Sequence, residues 1–214
     1  MTDIAAVILA GGHGERLGGI IKADLLVGGQ SLLQRTVHAI GGSVSKCVVA
    51  TGRAPPVQPH KSLQITCCQD VDDAPPGPVR GLIAAAREFS RGQNAPDYLL
   101  SVAVDTPLLP GDLVEVLLRE MCSCVDVAMC TFGEQVYPTN ALWRLAALNA
   151  LDMKRQNGKK RNGLRHLFPS SRIERVAFDE QRFGEKYLEN PFRNVNTLAD
   201  IAYFARRFAN AQNS

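Results

Sequence analysis

The stretch that decides the fold is Leu9-Ala10-Gly11-Gly12-His13-Gly14-Glu15-Arg16-Leu17-Gly18-Gly19-Ile20-Ile21-Lys22, and it directly follows an apolar run at residues 4–8. A short apolar run of this kind is typical of a buried strand in a parallel sheet. Glycines let the backbone turn sharply and approach a ligand closely, and their N–H groups can surround an anion. Arg16 and Lys22 add positive charge to the same stretch. We therefore predict that this glycine loop, residues 9–22, binds phosphate after the first strand of an α/β domain.

Two common phosphate-binding loops do not match the glycine loop. A P-loop requires Gly-Lys followed by Ser or Thr, and Lys22 has neither neighbour. A dinucleotide-binding loop requires Gly-x-Gly-x-x-Gly; Gly12 and Gly14 fit this pattern, but Leu17 stands at the third position. That motif also needs an acidic residue after the second strand, and none follows the predicted strand at residues 46–50. The pattern therefore argues against both classes.

Length and composition are those of one ordinary globular domain. The chain has 214 residues, an apolar content of 45% and a formal net charge of +3. So small a charge does not indicate a nucleic-acid-binding surface. No apolar run is long enough to cross a bilayer, and residues 1–3 do not begin a signal peptide. We expect a cytoplasmic protein that binds neither nucleic acid nor membranes.

The six cysteines do not indicate a metal site. No two of them form a Cys-x-x-Cys pair, and Cys122 with Cys124 supplies too few ligands for zinc. Cys47, Cys67 and Cys130 fall on predicted core strands, where a cysteine behaves as a small apolar residue.

Strands and helices are predicted to alternate through the first 130 residues, which is typical of a Rossmann-like, doubly wound, mostly parallel sheet. Ser31 is expected to cap the first helix. The predicted strands are residues 4–8, 46–50, 63–67, 98–104 and 125–130, and the predicted helices are residues 32–40, 82–90 and 111–121. After residue 131 the pattern changes to a strand of mixed orientation at 137–143, a helix at 145–153, an edge strand at 173–178 and a last helix from Thr197 to Phe208, with a frayed end from Asn210.

Three distant segments are predicted to meet at one edge of this sheet. They are the glycine loop, residues 70–81 and residues 105–107, and each follows a predicted parallel strand. Ligands of such sheets bind at the carboxyl ends of the strands. Asp105 ends a buried strand, so its carboxylate suits Mg²⁺, which prefers oxygen ligands and substrate phosphates. Asp70 is a second carboxylate at a strand end.

Two further elements are candidates for ligand binding. Gly77 opens a predicted helix whose N-terminal N–H groups can face a phosphate or a base. Asn194 and Asn196 alternate, so in an extended loop their amides would point the same way.

These motifs resemble those of the molybdenum cofactor guanylyltransferases, a family of the nucleotidyltransferase superfamily. The likeness extends over nearly the whole chain. The matching pieces are Leu9-Ala10-Gly11-Gly12, Arg16-Leu17-Gly18-Gly19, Lys22, Asp70, Pro76-Gly77-Pro78, Gly81, Asp105-Thr106-Pro107, Tyr137-Pro138-Thr139 and Asn194-Val195-Asn196-Thr197.

The resemblance implies an enzyme that transfers GMP from GTP to molybdopterin and releases pyrophosphate, with Mg²⁺ as cofactor and one nucleotidyltransferase domain. Residues 1–130 would bind the nucleotide and residues 131–214 the substrate. Arg16, Lys22 and Asp105 would be catalytic, with Asp105 holding the metal. Binding is implied for Leu9, Ala10, Gly11, Gly12, Lys22, Asp70, Gly77, Asp105, Asn194 and Asn196, and Arg161 and Arg165 would face the pterin. The resemblance also implies one protein partner, a chaperone of molybdoenzyme maturation.

Two positions depart from the family pattern. Ile21 stands where an Asp usually precedes the loop lysine, and Ala50 stands where a polar Asn usually ends the second strand. Three alternatives therefore stay open at this point: a cytidylyltransferase of the same cofactor, a sugar-phosphate nucleotidyltransferase, and a nucleotide-binding module without catalytic activity.

Overall fold

The computed structural model describes residues 2–11, 13–14, 20–51, 65–68, 74, 77–92, 94–156, 164, 167–169 and 172–212. Its strands are β1 (Ile4–Leu9), β2 (His13–Gly14), β3 (Ile20–Ile21), β4 (Leu26–Val27), β5 (Gln30–Ser31), β6 (Lys46–Ala50), β7 (Ile65–Cys68), β8 (Tyr98–Ala103), β9 (Val127–Phe132), β10 (Gln135–Arg144) and β11 (Ile173–Ala177). Its helices are α1 (Leu32–Ile40), α2 (Pro78–Ser90), α3 (Leu113–Arg119), α4 (Leu145–Gln156), α5 (Glu180–Phe183) and α6 (Leu198–Gln212), with 3₁₀ turns at Lys22–Asp24 and Gly184–Tyr187.

Seven of these strands form one sheet in the order β11-β9-β10-β8-β1-β6-β7. All neighbours are parallel except β10, which runs antiparallel to both β8 and β9. The predicted α/β class with a mostly parallel sheet is thus confirmed, as are the strand of mixed orientation and the edge strand. The carboxyl ends of β1, β6 and β8 lie side by side at one edge.

Helices cover both faces of the sheet, which is why its central strands read as unbroken apolar runs. In β1 the even residues Ile4, Ala6 and Ile8 belong to the core formed with α1, α3 and α6. The odd residues Ala5 and Val7 belong to the second core, formed with α2 and α4. Alternate residues of a strand point to opposite faces, so one continuous apolar run serves both cores.

Two helices begin where the sequence predicts. Ser31 caps α1 with a complete capping box, because its hydroxyl accepts from the Gln34 N–H while the Gln34 side chain accepts from the Ser31 N–H. Thr197 caps α6 through its hydroxyl, which accepts from the N–H of Asp200 at 3.2 Å. Such caps depend on residues three positions apart and are therefore visible in sequence.

Several predicted boundaries were wrong. Helix α2 begins at Pro78 rather than at residue 82, because proline is well suited to the first helical position. Helix α6 continues to Gln212, past the predicted fraying. In β7, Cys67 is exposed rather than in the core and Cys68 is buried; β7 is an edge strand of the sheet that the described residues form, so no neighbouring strand covers its outer side. Among the described residues, no helix is long and apolar enough to span a membrane.

Candidate active site

A cavity of about 290 Å³ opens at the carboxyl ends of β1, β6 and β8. Its walls come from the glycine loop, the strand ends, the start of α2 and two segments of the C-terminal half. The described lining residues are Leu9, Gly11, Lys22, Ala50, Gly77, Pro78, Gly81, Ala103, Val104, Asp105, Thr139 and Asn194. Predicted segments from both halves of the chain thus meet around one volume.

The Lys22 ammonium joins the glycine loop to two other segments at this cavity. Its Nζ donates to Oδ2 of Asp105 at 2.7 Å and to Oδ1 of Asn196 at 2.7 Å. The Lys22 and Asp105 side chains are 14% and 15% exposed. Because the pair is mostly shielded from water, its attraction is stronger than that of a surface ion pair.

The backbone around Asp105 is held from three sides. The Val104 N–H donates to the Leu9 carbonyl at 3.2 Å, and the Thr106 hydroxyl donates to the Ala103 carbonyl at 2.6 Å. The Val195 N–H donates to the Asp105 carbonyl at 2.8 Å. The Asp105 carboxylate therefore projects from a rigid turn. A rigid backbone suits a side chain that has to hold a ligand in a defined position.

The segment of Asn194 and Asn196 is anchored by Asp200. The Asp200 carboxylate accepts from the Asn196 N–H at 3.2 Å and from the Thr197 hydroxyl at 2.8 Å. Burial acts to raise the pKa of Asp200, but these hydrogen bonds and one from Arg193 lower it below its usual value. Asp200 is thus held as an anion that fixes the asparagine segment at the cavity.

The N-terminus of α2 forms another part of the cavity wall. Gly77 has φ 92°, a left-handed conformation that favours glycine, and Pro78 occupies the first helical position. The first N–H groups of a helix and its dipole attract anions. Helix α2 is 13 residues long, so its start is a suitable wall for a phosphate or a carbonyl-rich base.

Helix α2 lies unusually close to the sheet at Gly81. A Cβ atom added there would stand 2.9 Å from the Ala50 Cβ and 3.0 Å from the Leu9 Cδ2. Both distances are below ordinary carbon–carbon contact. The small side chains at positions 50 and 81 therefore set how near the helix comes to the strands and shape the cavity floor.

Sequence analysis missed Asn140. This residue is fully buried in β10, where a register shift between Tyr137 and Ala141 interrupts the ladder. Its Oδ1 accepts from the Ala103 N–H at 2.9 Å, and its Nδ2 is buried without a hydrogen-bond partner. A polar residue entering the apolar run Ala141-Leu142-Trp143 was the available signal.

Residues 6–175, most of the chain, match the family described as the MobA-like NTP transferase domain. The chain belongs to the MobA-like NTP transferase family. It is 29% identical over 203 residues to a molybdenum cofactor guanylyltransferase of Shewanella putrefaciens, covering 94% of this chain and 96% of the relative. It is 30% identical over 196 residues to a protein of that name from Rhizobium meliloti, covering 92% and 88%. The predicted family and the predicted enzyme class, a nucleotidyltransferase, are confirmed.

Solved structures share the fold of this chain. Molybdopterin-guanine dinucleotide biosynthesis protein A from Archaeoglobus fulgidus aligns with a TM-score of 0.69 and 17% identity, over 96% of this chain and 99% of that one. A 2-C-methyl-D-erythritol 4-phosphate cytidylyltransferase from Thermus thermophilus aligns with a TM-score of 0.64 and 19% identity, over 98% and 100%. At identities of 17% and 19%, these two structures are evidence for the fold of this MobA-like transferase alone.

The predicted site residues divide into three groups. Leu9, Gly11, Lys22, Gly77, Asp105 and Asn194 line the cavity, and Asn196 joins them through Lys22. Ala10 is buried, and its N–H donates to the Ala50 carbonyl at 2.9 Å, so that amide is already engaged in the fold. Gly12, Arg16, Asp70, Arg161 and Arg165 lie outside the described residues.

The two departures from the family pattern have structural consequences. Ile21 pairs with His13 in the small β2–β3 ladder, and its side chain packs against the core. Ala50 is 3% exposed and contributes apolar surface to the cavity wall. In this MobA-like transferase, residue 50 can therefore make apolar contact with a ligand, but its side chain cannot form a hydrogen bond.

Asp105 fits a magnesium ion that is held largely by substrate. Within the described part of the chain, no group of three or more His, Cys, Asp or Glu side chains is placed to hold a metal. Mg²⁺ typically uses one or two carboxylates together with phosphate oxygens and waters, so a single rigid carboxylate on the cavity wall suits it. Lys22 engages Oδ2 of Asp105, and the described residues form no hydrogen bond to Oδ1.

Proposed function

We propose that this MobA-like transferase is a molybdenum cofactor guanylyltransferase, which transfers GMP from GTP to molybdopterin and releases pyrophosphate. The observation that carries the proposal is the meeting of Lys22 and Asp105 at 2.7 Å on the cavity wall, across 83 positions of sequence. The relatives are named molybdenum cofactor guanylyltransferases, which supports guanylyl transfer to the molybdenum cofactor as the reaction.

The reaction needs positioning and charge neutralisation more than a protein nucleophile. The phosphate of molybdopterin attacks the α-phosphorus of GTP, the bond to the β-phosphate bridging oxygen breaks, and pyrophosphate leaves. Since the attacking phosphate is already anionic, no side chain has to remove a proton. Mg²⁺, when bound, supplies charge neutralisation for the triphosphate, and Asp105 is the residue that would hold it.

Lys22 has two tasks in this scheme. In the structure its ammonium is held by Asp105 and Asn196, so it is already oriented at the cavity. Three N–H donors let it keep one of these partners while it donates to a phosphate oxygen. Its charge would then stabilise the leaving pyrophosphate, which is the group on which negative charge accumulates.

The remaining walls would select and orient the two substrates. The N-terminus of α2 and the backbone of Gly11 would face the nucleotide phosphates or base. Thr139 and Asn194, from the C-terminal half, line the same cavity and would face the pterin side. Arg16, Asp70, Arg161 and Arg165 stay predictions of the sequence.

The test is pyrophosphate release from GTP and purified molybdopterin, with and without Mg²⁺. We expect metal-dependent release with GTP and at least tenfold slower release with CTP. Asp105→Asn and Lys22→Met should each lower kcat by about 10²-fold or more, as losses of electrostatic stabilisation do. Asp112→Asn is a matched control, because Asp112 also pairs with a lysine, Lys186, but does not line the cavity.

Two results would overturn the proposal. One is full pyrophosphate release by Asp105→Asn under conditions where Asp112→Asn is also fully active. The other is equal or faster release with CTP or with a sugar phosphate as acceptor. The fluorescence of Trp143, the sole tryptophan, which is buried, reports whether each variant is folded.

A further inference from the structure

Cys122 and Cys124 form a close pair of thiols in the loop between α3 and β9. Their sulfur atoms lie 2.7 Å apart, and both residues are exposed. A disulfide needs a separation of about 2.05 Å, so less than an ångström of movement would bring the sulfurs to bonding distance. The pair is not part of the site described above.

The pair lies at the opposite edge of the sheet from the cavity. Strand β10 is antiparallel to both β8 and β9, so β8 and β9 run in the same direction. Asp105 follows the carboxyl end of β8, whereas Cys124 precedes the amino end of β9. Chemistry at these thiols is therefore separated from substrate binding by the length of a strand.

We propose that Cys122 and Cys124 are a reactive dithiol site that small-molecule disulfides oxidise reversibly to an intramolecular disulfide. The Cys122 thiolate attacks the small disulfide, forms a mixed disulfide and expels one thiolate. The Cys124 sulfur, as its thiolate, then attacks the Cys122 sulfur and expels the second. One small disulfide is reduced to two thiols while the dithiol loses two protons and two electrons.

The local hydrogen bonds give the two sulfurs different roles. The hydrogen bond between the two sulfurs and backbone hydrogen bonds from Cys124 and Val125 lower the pKa of Cys122, whereas the contact with the Cys122 sulfur raises the pKa of Cys124. The thiolate is the nucleophilic form, so Cys122 is the attacking residue and Cys124 the resolving one. The division into an attacking and a resolving cysteine requires two neighbouring thiols, so a single exposed cysteine could not show it.

The backbone of the loop keeps the two thiols together. The Cys122 carbonyl accepts from the Arg144 guanidinium at 2.8 Å and from the Val125 N–H at 3.1 Å, and its own N–H donates to the Glu120 carbonyl at 3.0 Å. Because the loop is ordered before oxidation, closing the disulfide costs little conformational entropy. The second step is then effectively unimolecular and fast.

The other described cysteines are poorer candidates. Burial raises the pKa of Cys47 to about 12 and raises that of Cys130, which keeps both as unreactive thiols. Cys68 is buried, and Cys67 is exposed on the edge strand β7. Cys67→Ser therefore gives a background in which Cys122 and Cys124 are the exposed thiols of the described chain.

The experiment treats the full-length Cys67→Ser chain with oxidised glutathione and follows it by intact-mass and peptide mass spectrometry. We expect the mass to fall by two hydrogens, a crosslink between Cys122 and Cys124, and loss of both rapidly labelled thiols, all reversed by dithiothreitol. Cys124→Ser should stop at a glutathione adduct on Cys122, and Cys122→Ser should form its adduct more slowly. Phenylarsine oxide, which bridges paired thiols, should protect the pair against oxidation.

Three outcomes would overturn the proposal: stable glutathione adducts on both residues of the parent, disulfide-linked dimers in place of the internal bond, or no oxidation under conditions that modify Cys124→Ser. None of these outcomes depends on the transferase reaction. Because the pair lies at the far edge of the sheet, pyrophosphate release by the oxidised chain should stay within twofold of the reduced chain. Mass spectrometry and turnover therefore test the two proposals separately.

Discussion

Gly81→Ala tests how closely α2 must lie against the sheet for the cavity to form. In an isolated helix, replacing glycine by alanine stabilises by about 1 kcal/mol. Here the new Cβ would lie 2.9 Å from the Ala50 Cβ and 3.0 Å from the Leu9 Cδ2. The Leu9 side chain can rotate, but the Ala50 Cβ is fixed by a strand bonded to β1 and β7.

The magnitude follows from these two opposing effects. Carbon atoms prefer separations of about 3.5–4.0 Å, so α2 must move by more than half an ångström. Overpacking of this size costs about 1–3 kcal/mol, which exceeds the gain in helix propensity. We expect a net loss of about 1 kcal/mol in the free energy of unfolding, and weaker GTP binding because the start of α2 lines the cavity.

The assay is urea unfolding followed by Trp143 fluorescence. With an m-value of about 2–3 kcal/mol/M, the midpoint should fall by about 0.3–0.5 M. The penalty of Gly81→Ala should shrink when it is introduced into Ala50→Gly, since the fixed contact is then gone. Gly111→Ala, where the added Cβ meets nothing within 4 Å, should leave the midpoint nearly unchanged. The reasoning is refuted if Gly81→Ala is as stable as the parent in both backgrounds.

Three further predictions concern stability. Asp152→Asn should lower the free energy of unfolding by about 1–3 kcal/mol, measured by thermal unfolding. The Arg87 guanidinium of α2 donates two hydrogen bonds, of 2.6 and 3.0 Å, to the Asp152 carboxylate of α4, and the substitution weakens both. An unchanged Tm would contradict this. Asn140→Ala should cost a similar amount in urea unfolding and lower turnover, because it leaves the N–H of Ala103 buried without an acceptor. Burial acts to raise the pKa of Asp112, but hydrogen bonds from Lys186 and a tyrosine outweigh it and lower the pKa below its usual value. The ionised carboxylate therefore stabilises the fold above about pH 4, and this stabilisation is lost as the pH falls through the folded-state pKa. The Tm difference between the parent and Asp112→Asn should therefore be constant from pH 7 to 5 and shrink below pH 4, and a constant difference down to pH 3 would contradict the assignment.

The sequence alone was sufficient for the elements whose causes are local. Burial on both faces makes the central strands unbroken apolar runs, so β1, β6 and β8 were predicted within a residue or two. Caps operate over three residues, so Ser31 and Thr197 marked helix starts. The position of Asp105 at the end of an apolar run was enough to predict that it lies at the carboxyl edge of the sheet, where the structure has it on the cavity wall.

Only the tertiary structure decided which distant groups meet. The hydrogen bond from Lys22 to Asn196 joins positions 174 residues apart, and no local pattern encodes it. The same holds for Asn140, whose buried amide replaces a ladder hydrogen bond at the end of β8, and for Gly81, whose missing side chain is explained by a strand packed beneath it. Hydrophobic periodicity and caps report the conformation of a few neighbouring residues. The cavity, in contrast, depends on how two cores position separate segments, and that information exists only once the chain is packed.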